Sequence, residues 1–171
     1  MTSRDLSTII KAYDVRGVVP DQLDADIARA LGAAFARFVG APRIVVARDM
    51  RESGVELGAA FAEGVTSQGV DVVDAGLGST DLLYFASGRL DLPGAMFTAS
   101  HNPAKYNGIK LCLAGAKPVG QDTGLAVLRA DAERFLDEGL PSCDGAPGTR
   151  TEQPMLDDYA AYMKELVPGL E

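Results

Sequence analysis

Short apolar runs alternate along this chain with longer amphipathic stretches. Arg43-Ile44-Val45-Val46-Ala47 follows Pro42, and Val70-Asp71-Val72-Val73-Asp74 runs toward Gly76. Gly94-Ala95-Met96-Phe97-Thr98-Ala99 and Gly108-Ile109-Lys110-Leu111-Cys112-Leu113 follow. Each has strand length and is bounded by chain breakers, which predicts four strands. Between them, Ile27, Leu31, Phe35 and Phe38 make one apolar face over Asp24 to Val39, with acidic residues at its start, as a helix dipole favours. Asp21, Asp24 and Asp26 lack the spacing, glycine and terminal Glu of a calcium loop and read as the solvated start of that helix. Ser53-Gly54-Val55-Glu56 has capping-box spacing and predicts a second, Ala-rich helix to about Gln68. A third is expected over Thr80 to Ser87. Leu125, Leu128 and Phe135-Leu136 predict a fourth over Thr123 to Asp137.

Strands alternating with helices predict an α/β fold, a three-layer α/β/α sandwich with a mixed, mostly parallel sheet of about four strands. The step from Ala99 to Gly108 is too short for a crossover helix, so that last strand pair is expected to be antiparallel. Pro141 to Arg150 reads as a flexible linker. Pro154 to Val167 then predicts a helix with Leu156, Tyr159, Tyr162-Met163 and Leu166 on one stripe. Residues 1–150 are thus expected to form one domain. Residues 151–171 are expected to begin a helix leading to a further domain; the alternative is a C-terminal helix docked on the sheet.

Composition narrows the class. With 171 residues, 47% hydrophobic and 23% charged, the chain can bury a core without staples. No apolar run approaches the roughly 20 residues of a membrane span, and Met1-Thr2-Ser3-Arg4-Asp5 opens no signal-peptide pattern. The net charge of −8 disfavours nucleic acid and anionic membranes as partners. It leaves room for an anionic small molecule held by a local basic cluster. Cys112 and Cys143 lie far apart with no C-x-x-C spacing, so reduced thiols in a cytoplasmic protein fit best.

The densest chemistry lies in Thr98-Ala99-Ser100-His101-Asn102-Pro103, followed by Lys105-Tyr106-Asn107-Gly108-Ile109-Lys110. It is expected on a loop at a strand's carboxyl end, the edge where open α/β sheets bind ligands. Ser100, His101, Asn102 and Lys110 supply a hydroxyl, an imidazole, an amide and a cation, and phosphoryl transfer asks for such positioning and positive charge. The bland reading is a polar loop making turn hydrogen bonds. Lys11-Ala12-Tyr13-Asp14-Val15-Arg16-Gly17 is a second candidate, since Arg16 suits bidentate phosphate binding. Its bland reading is a hairpin arm with Arg16 in water. Gly76-Leu77-Gly78-Ser79-Thr80-Asp81 fails the dinucleotide fingerprint, because Asp81 stands where the third Gly belongs, and reads as a plain β–α turn.

Together these segments resemble the α-D-phosphohexomutase family. Thr98 to Pro103 with Tyr106 to Lys110 is similar to its phosphoserine loop, and Lys11 to Gly17 to its N-terminal Lys-Ala-Tyr-Asp-Ile-Arg-Gly. Ala47-Arg48-Asp49-Met50-Arg51-Glu52-Ser53 resembles Gly-Arg-Asp-x-Arg-x-Ser, and Gly76 to Thr80 a Gly-x-x-x-Thr-Pro turn, with Ala47 and Asp81 as departures. The Lys-Ala-Tyr-Asp form points to the phosphomannomutase/phosphoglucomutase branch, and to its first domain alone.

The resemblance implies an intramolecular phosphotransferase of the isomerase class. Ser100 would carry a phosphoryl group and interconvert hexose 1-phosphate and hexose 6-phosphate through a bisphosphorylated sugar, with hexose 1,6-bisphosphate as activator. It implies that Lys110 and Arg16 sit at the reacting oxygens, that His101 and Asn102 support the loop, and that Tyr13 shapes the site. Magnesium (Mg2+) would bind the phosphate on Ser100, its other ligands coming from an Asp-Gly-Asp loop in another domain of the same polypeptide. No such loop occurs here, so this chain alone is expected to be inactive. The alternative is a stand-alone phosphate- or phosphosugar-binding module without catalysis.

Overall fold

The computed structural model describes residues 4–169. Met1-Thr2-Ser3 and Leu170-Glu171, on which the expectations about the chain's ends partly rest, lie outside the described residues. The elements run β1 (Val15–Val18), α1 (Ala25–Val39), β2 (Arg43–Arg48), α2 (Ser53–Ser67), β3 (Asp71–Leu77), α3 (Thr80–Leu90), β4 (Gly94–Phe97), β5 (Tyr106–Leu113), β6 (Lys117–Pro118), α4 (Leu125–Glu138), β7 (Arg150–Glu152) and α5 (Leu156–Leu166).

One mixed sheet has the order β1-β5-β4-β2-β3-β7, with β6 paired to β5. The strands β4, β2, β3 and β7 are parallel; β5 runs antiparallel to β4 and β1. The four expected strands are all present, and the expected antiparallel step falls at β4–β5. The sheet is wider than expected because β1, β6 and β7 are short, and β6 and β7 are polar as well. They carry too few alternating apolar positions to register as strands.

Alternation along the strands sorts side chains onto two cores. Ile44 and Val46 of β2, Phe97 of β4 and Ile109 and Leu111 of β5 face α1, α2 and α4. Val45, Ala47, Met96 and Cys112 face the smaller core under α3. Helices α1 and α2 approach backbone to backbone: a Cβ on Gly32 would overlap the Phe61 carbonyl oxygen, and one on Gly64 that of Arg29. Phe35, Phe61 and Phe97 close the space between these helices and the sheet, Phe61 meeting Phe97 edge-on at 5.5 Å.

Helix starts follow local chemistry. Asp24 caps α1 by accepting from the Ile27 amide (2.9 Å), so the acidic cluster is a helix start. Ser79 caps α3 in the same way, so β3 passes into α3 through a short β–α turn at Gly78-Ser79. The expected capping box on α2 is not formed. The residue before the helix is Glu52, in helical conformation, with no side-chain cap. Ser53 already belongs to the first turn, and its hydroxyl accepts from Asn107 Nδ2 (2.9 Å).

The expected linker is irregular to Thr149, but its end is fastened. The Gly148 amide donates to Thr66 and that of Thr149 to the Asp71 carboxylate (2.8 and 2.7 Å), and Arg150 already belongs to β7, beside β3. Helix α5 leans on α3 through Tyr159 and Tyr162, both stacked near Phe85. Leu156 and Leu166 are exposed, so the predicted stripe is only half covered.

Candidate active site

The carboxyl ends of β4 and β2 and the start of β5 meet at one edge of the sheet, and the serine loop rises there. Its turn is sharp. Ser100 has φ +54°, which costs a residue with a Cβ about 1–2 kcal/mol. Two short bonds hold it: the Ser100 amide donates to Thr98 Oγ1 (2.9 Å) and the Asn102 amide to the Ala99 carbonyl (3.0 Å). The result is an exposed Ser100 side chain at the crest of the loop. His101 Nδ1 lies 3.3 Å from Ser100 Oγ. Asn102 is half-buried and lines a cleft of about 540 Å³ with Val19, Arg51, Ser53 and Lys105.

Beneath the loop lies Arg51, only 8% exposed. Nη1 donates to the carbonyls of Pro103 and Tyr106 (both 2.9 Å), Nη2 to those of Ser100 (2.9 Å) and Asn102 (2.7 Å). Asp49 balances the charge: its Oδ2 is 3.3 Å from Nε and its Oδ1 accepts from the Arg51 amide (3.0 Å). Hydrogen bonds to a charged group contribute about 1.5–3 kcal/mol each, more than the turn costs. Asn107, fully buried, ties the far end of the loop to Ser53 and donates nothing to solvent. Its Oδ1 accepts from the Gly108 amide.

Arg16 and Lys110 come together through Asp14. Arg16 stands opposite Gly108 in the β1–β5 register, which puts Arg16 and Lys110 on one face of the sheet. The Asp14 carboxylate accepts from Arg16 Nη2 (2.6 Å) and from Lys110 Nζ (3.2 Å). Gly108 lets the strands close, since a Cβ there would overlap the Val15 carbonyl oxygen. Arg16 is therefore not the solvated residue of a hairpin arm: it is half-buried, and its Nε has no hydrogen-bond partner. Lys110 spends one of its three donors on Asp14. Among the described residues no hydrogen bond or ion pair joins Ser100 to Arg16 or Lys110. Tyr13 is 81% exposed.

The family model described as phosphoglucomutase/phosphomannomutase, alpha/beta/alpha domain I, matches residues 7–133, which span both clusters. The chain belongs to this family, as its domain I. A phosphomannomutase of Klebsiella pneumoniae is 41% identical over 155 residues, 89% of this chain and 96% of that sequence. A phosphomannomutase of Escherichia coli is 40% identical over 159 residues, 91% of this chain but 34% of its own length. The crystal structure of a phosphoglucomutase/phosphomannomutase family protein from Burkholderia thailandensis superposes with a TM-score of 0.79 at 36% identity, covering all of this chain and 37% of that one. The chain spans about a third of the length of these last two relatives.

Within this domain I, three residues beyond those expected shape the site: Asp14, Arg51 and Asn107. A signal for the first was legible. Asp14 and Arg16 stand two apart at the start of a strand, hence on one face, where opposite charges pair. Arg51 and Asn107 pair across about fifty residues of chain with loop carbonyls and with Ser53, and no local pattern announces that.

Magnesium does not fit this chain's residues alone. Among the described residues no group of three His, Cys, Asp or Glu side chains could cage an ion. The carboxylates nearest the two clusters, Asp14 and Asp49, are already paired with cations. Nor is any described helix long and apolar enough to cross a membrane.

Proposed function

We propose that this domain carries the phosphoserine of a hexose-phosphate mutase, a phosphomannomutase or phosphoglucomutase that exchanges hexose 1-phosphate and hexose 6-phosphate. The observation that carries the reading is the exposed Ser100, held on a left-handed turn with His101 Nδ1 3.3 Å from its hydroxyl. An exposed serine presented this way can be both phosphoryl donor and acceptor, because a sugar oxygen can approach a phosphorus on Oγ from the solvent side, in line with the bond that breaks.

In the first half-reaction a hydroxyl oxygen of the hexose monophosphate attacks phosphorus and the bond to Ser100 Oγ breaks. The proton leaving the sugar hydroxyl ends on Ser100 Oγ, with Lys110 as the candidate relay. The bisphosphorylated sugar then reverses in the site. Ser100 Oγ attacks its other phosphate, and the proton returns to the freed sugar oxygen. No water or net proton is consumed. Arg16, which gives only Nη2 to Asp14, and Lys110, with two of its three donors unspent, supply positive charge for the moving phosphoryl group. Asp14 keeps these two cations adjacent despite their mutual repulsion. His101 and Asn102 support the loop, and Tyr13 offers an exposed aromatic face to the sugar side. Magnesium would take a phosphate oxygen on Ser100 and find its remaining ligands elsewhere in the polypeptide. Hexose 1,6-bisphosphate would recharge an empty Ser100. The exposed serine loop leaves the opposite side of the sugar to other domains, so this chain alone is inactive.

Peptide mapping of the protein purified from its own cells tests the reading. The peptide containing Ser100 is expected to carry phosphate, to lose it on addition of hexose 6-phosphate and to regain it from hexose 1,6-bisphosphate. A Ser100 that is never phosphorylated, with sugar isomerisation unaffected by Ser100→Ala, would overturn it.

A further inference from the structure

We infer that Arg51 sets where Ser100 presents its hydroxyl: it is a positioning residue for phosphoryl transfer that touches neither sugar nor phosphate. The kinetic part of this inference rests on the mutase reading above. The structural part stands on the loop itself. Residues 98–105 form no regular element, and Ser100 sits in a conformation that side chains rarely adopt. Such a turn persists only where its surroundings over-determine it. Only one buried cation reaches it among the described residues. The guanidinium of Arg51 bonds four carbonyls, those of residues 100, 102, 103 and 106. These carbonyls come from the crest, the descending limb and the foot of the loop, so a single rigid plane fixes all three.

The fork is matched in number and geometry. Each terminal nitrogen has two hydrogens and each finds two acceptors, so all four terminal donors are used. A lysine in this place keeps the charge but offers three donors from one point, and cannot reach acceptors spread across a plane. Asp49 holds the other edge of the guanidinium, and Ser53 holds Asn107 at the loop's foot. Residues 49–53 therefore act as one bracket on which the serine is mounted, placed by the end of β2 and the first turn of α2.

Arg51→Lys and Arg51→Ala test this, with Arg48→Lys as the control, because Arg48 makes only a 3.5 Å contact to a backbone carbonyl. Amide hydrogen exchange on the chain reads the loop directly. In Arg51→Lys the Asn102 and Tyr106 amides are expected to exchange about tenfold faster or more, while β2 and β3 keep their protection and so report a folded domain. In the intact polypeptide, kcat is expected to fall about a hundredfold, the scale of an ångström-sized misplacement. KM for hexose phosphate should stay within about threefold, because Arg51 binds no sugar. Free guanidinium at concentrations that leave the wild type unchanged should restore part of the activity of Arg51→Ala. Loop exchange that does not change in Arg51→Lys overturns the positioning role. So does faster loop exchange with an unchanged kcat. A wild-type Ser100 that never accepts phosphate is a separate result: it overturns the mutase reading and the kinetic claim with it, even where the exchange pattern is as expected.

Discussion

Replacing Gly64 by Ala should weaken the fold, although Ala is the better helix former. Gly64 lies inside α2, where propensity alone favours the substitution by about 1 kcal/mol. The structure opposes it. The new Cβ would overlap the Arg29 carbonyl oxygen and lie 2.9 Å from the Ala33 nitrogen, both backbone atoms of α1 that cannot swing aside. An ordinary carbon–oxygen contact needs roughly 3.3 Å or more, so the two helices must part by about 1 Å. A gap of that size forfeits a quarter to a half of the dispersion energy across the interface. Overpacking of this kind typically costs 1–3 kcal/mol, and backbone against backbone belongs at the upper end. Subtracting the propensity gain leaves a net loss of about 2 kcal/mol, or a fall in Tm of about 4–8 °C for a domain of this size. Gly88→Ala is the matched control. Gly88 lies in α3 with nothing within 4 Å of its added Cβ, so the same chemical change should stabilise by up to about 1 kcal/mol. Urea unfolding followed by circular dichroism at the helical band measures both. If Gly64→Ala also raises the midpoint, the close approach of α1 and α2 is wrong.

Other expectations follow from the site. Ser100→Ala should abolish phosphate loading while leaving the unfolding free energy within about 0.5 kcal/mol, since the side chain is exposed; a wild type that never takes up phosphate, with Ser100→Ala binding hexose phosphate equally well, would mark a simple binder rather than a carrier. Asp14→Asn should lower turnover of the intact polypeptide about tenfold or more by releasing Arg16 and Lys110, and cost about 1–3 kcal/mol in urea unfolding, because Asp14 is buried and Arg16 Nε already lacks a partner. A loss of stability without a loss of rate would count against that assignment. Cys112 is buried under α3, and that burial raises its thiol pKa above the ordinary 9.0. Its folded pKa therefore exceeds the unfolded one: the stabilisation is complete below the unfolded value and fades as pH rises through the folded one. Iodoacetamide at pH 8 should accordingly label the exposed Cys143 and spare Cys112 until the chain unfolds.

The layered architecture was legible because the central strands are long apolar runs and the helices show clear faces. β2 to β5 and α1 to α4 fall where periodicity puts them, with α3 running three residues further, to Leu90. The edges of the sheet were not legible. β6 and β7 are pinned by register with neighbours rather than by their own side chains, and Arg150–Glu152 has no apolar residue at all; β1 is only four residues long, although its Val15 is buried in the core. The capping box on α2 failed for a related reason. Its spacing is local, but the Ser53 hydroxyl had a stronger claim from Asn107, a partner supplied by the tertiary fold. Ser100, His101 and Asn102 were legible as a group because they are contiguous. Arg16 and Lys110 were legible singly, and Asp14 is what makes them one cluster. Arg51 was within a quoted motif yet unassigned, since its acceptors are main-chain oxygens, which a side-chain sequence does not display.

The pairing of β1 with β5 also sets a timetable for synthesis. Asp14 and Lys110 are separated by 96 positions in the chain. At a ribosomal pace of about 5–20 residues per second, the N-terminal segment waits about 5–20 s before its partner strand exists. During that interval Leu6, Ile9, Ile10 and Val15, all buried in the finished fold, have no sheet to enter. Meanwhile β2, β3 and β4 emerge in succession and can pair among themselves. The Arg16–Asp14–Lys110 cluster is thus assembled only after β2, β3 and β4 exist, at one edge of the sheet, and a chain stalled before residue 106 would display Arg16 without its counterpart.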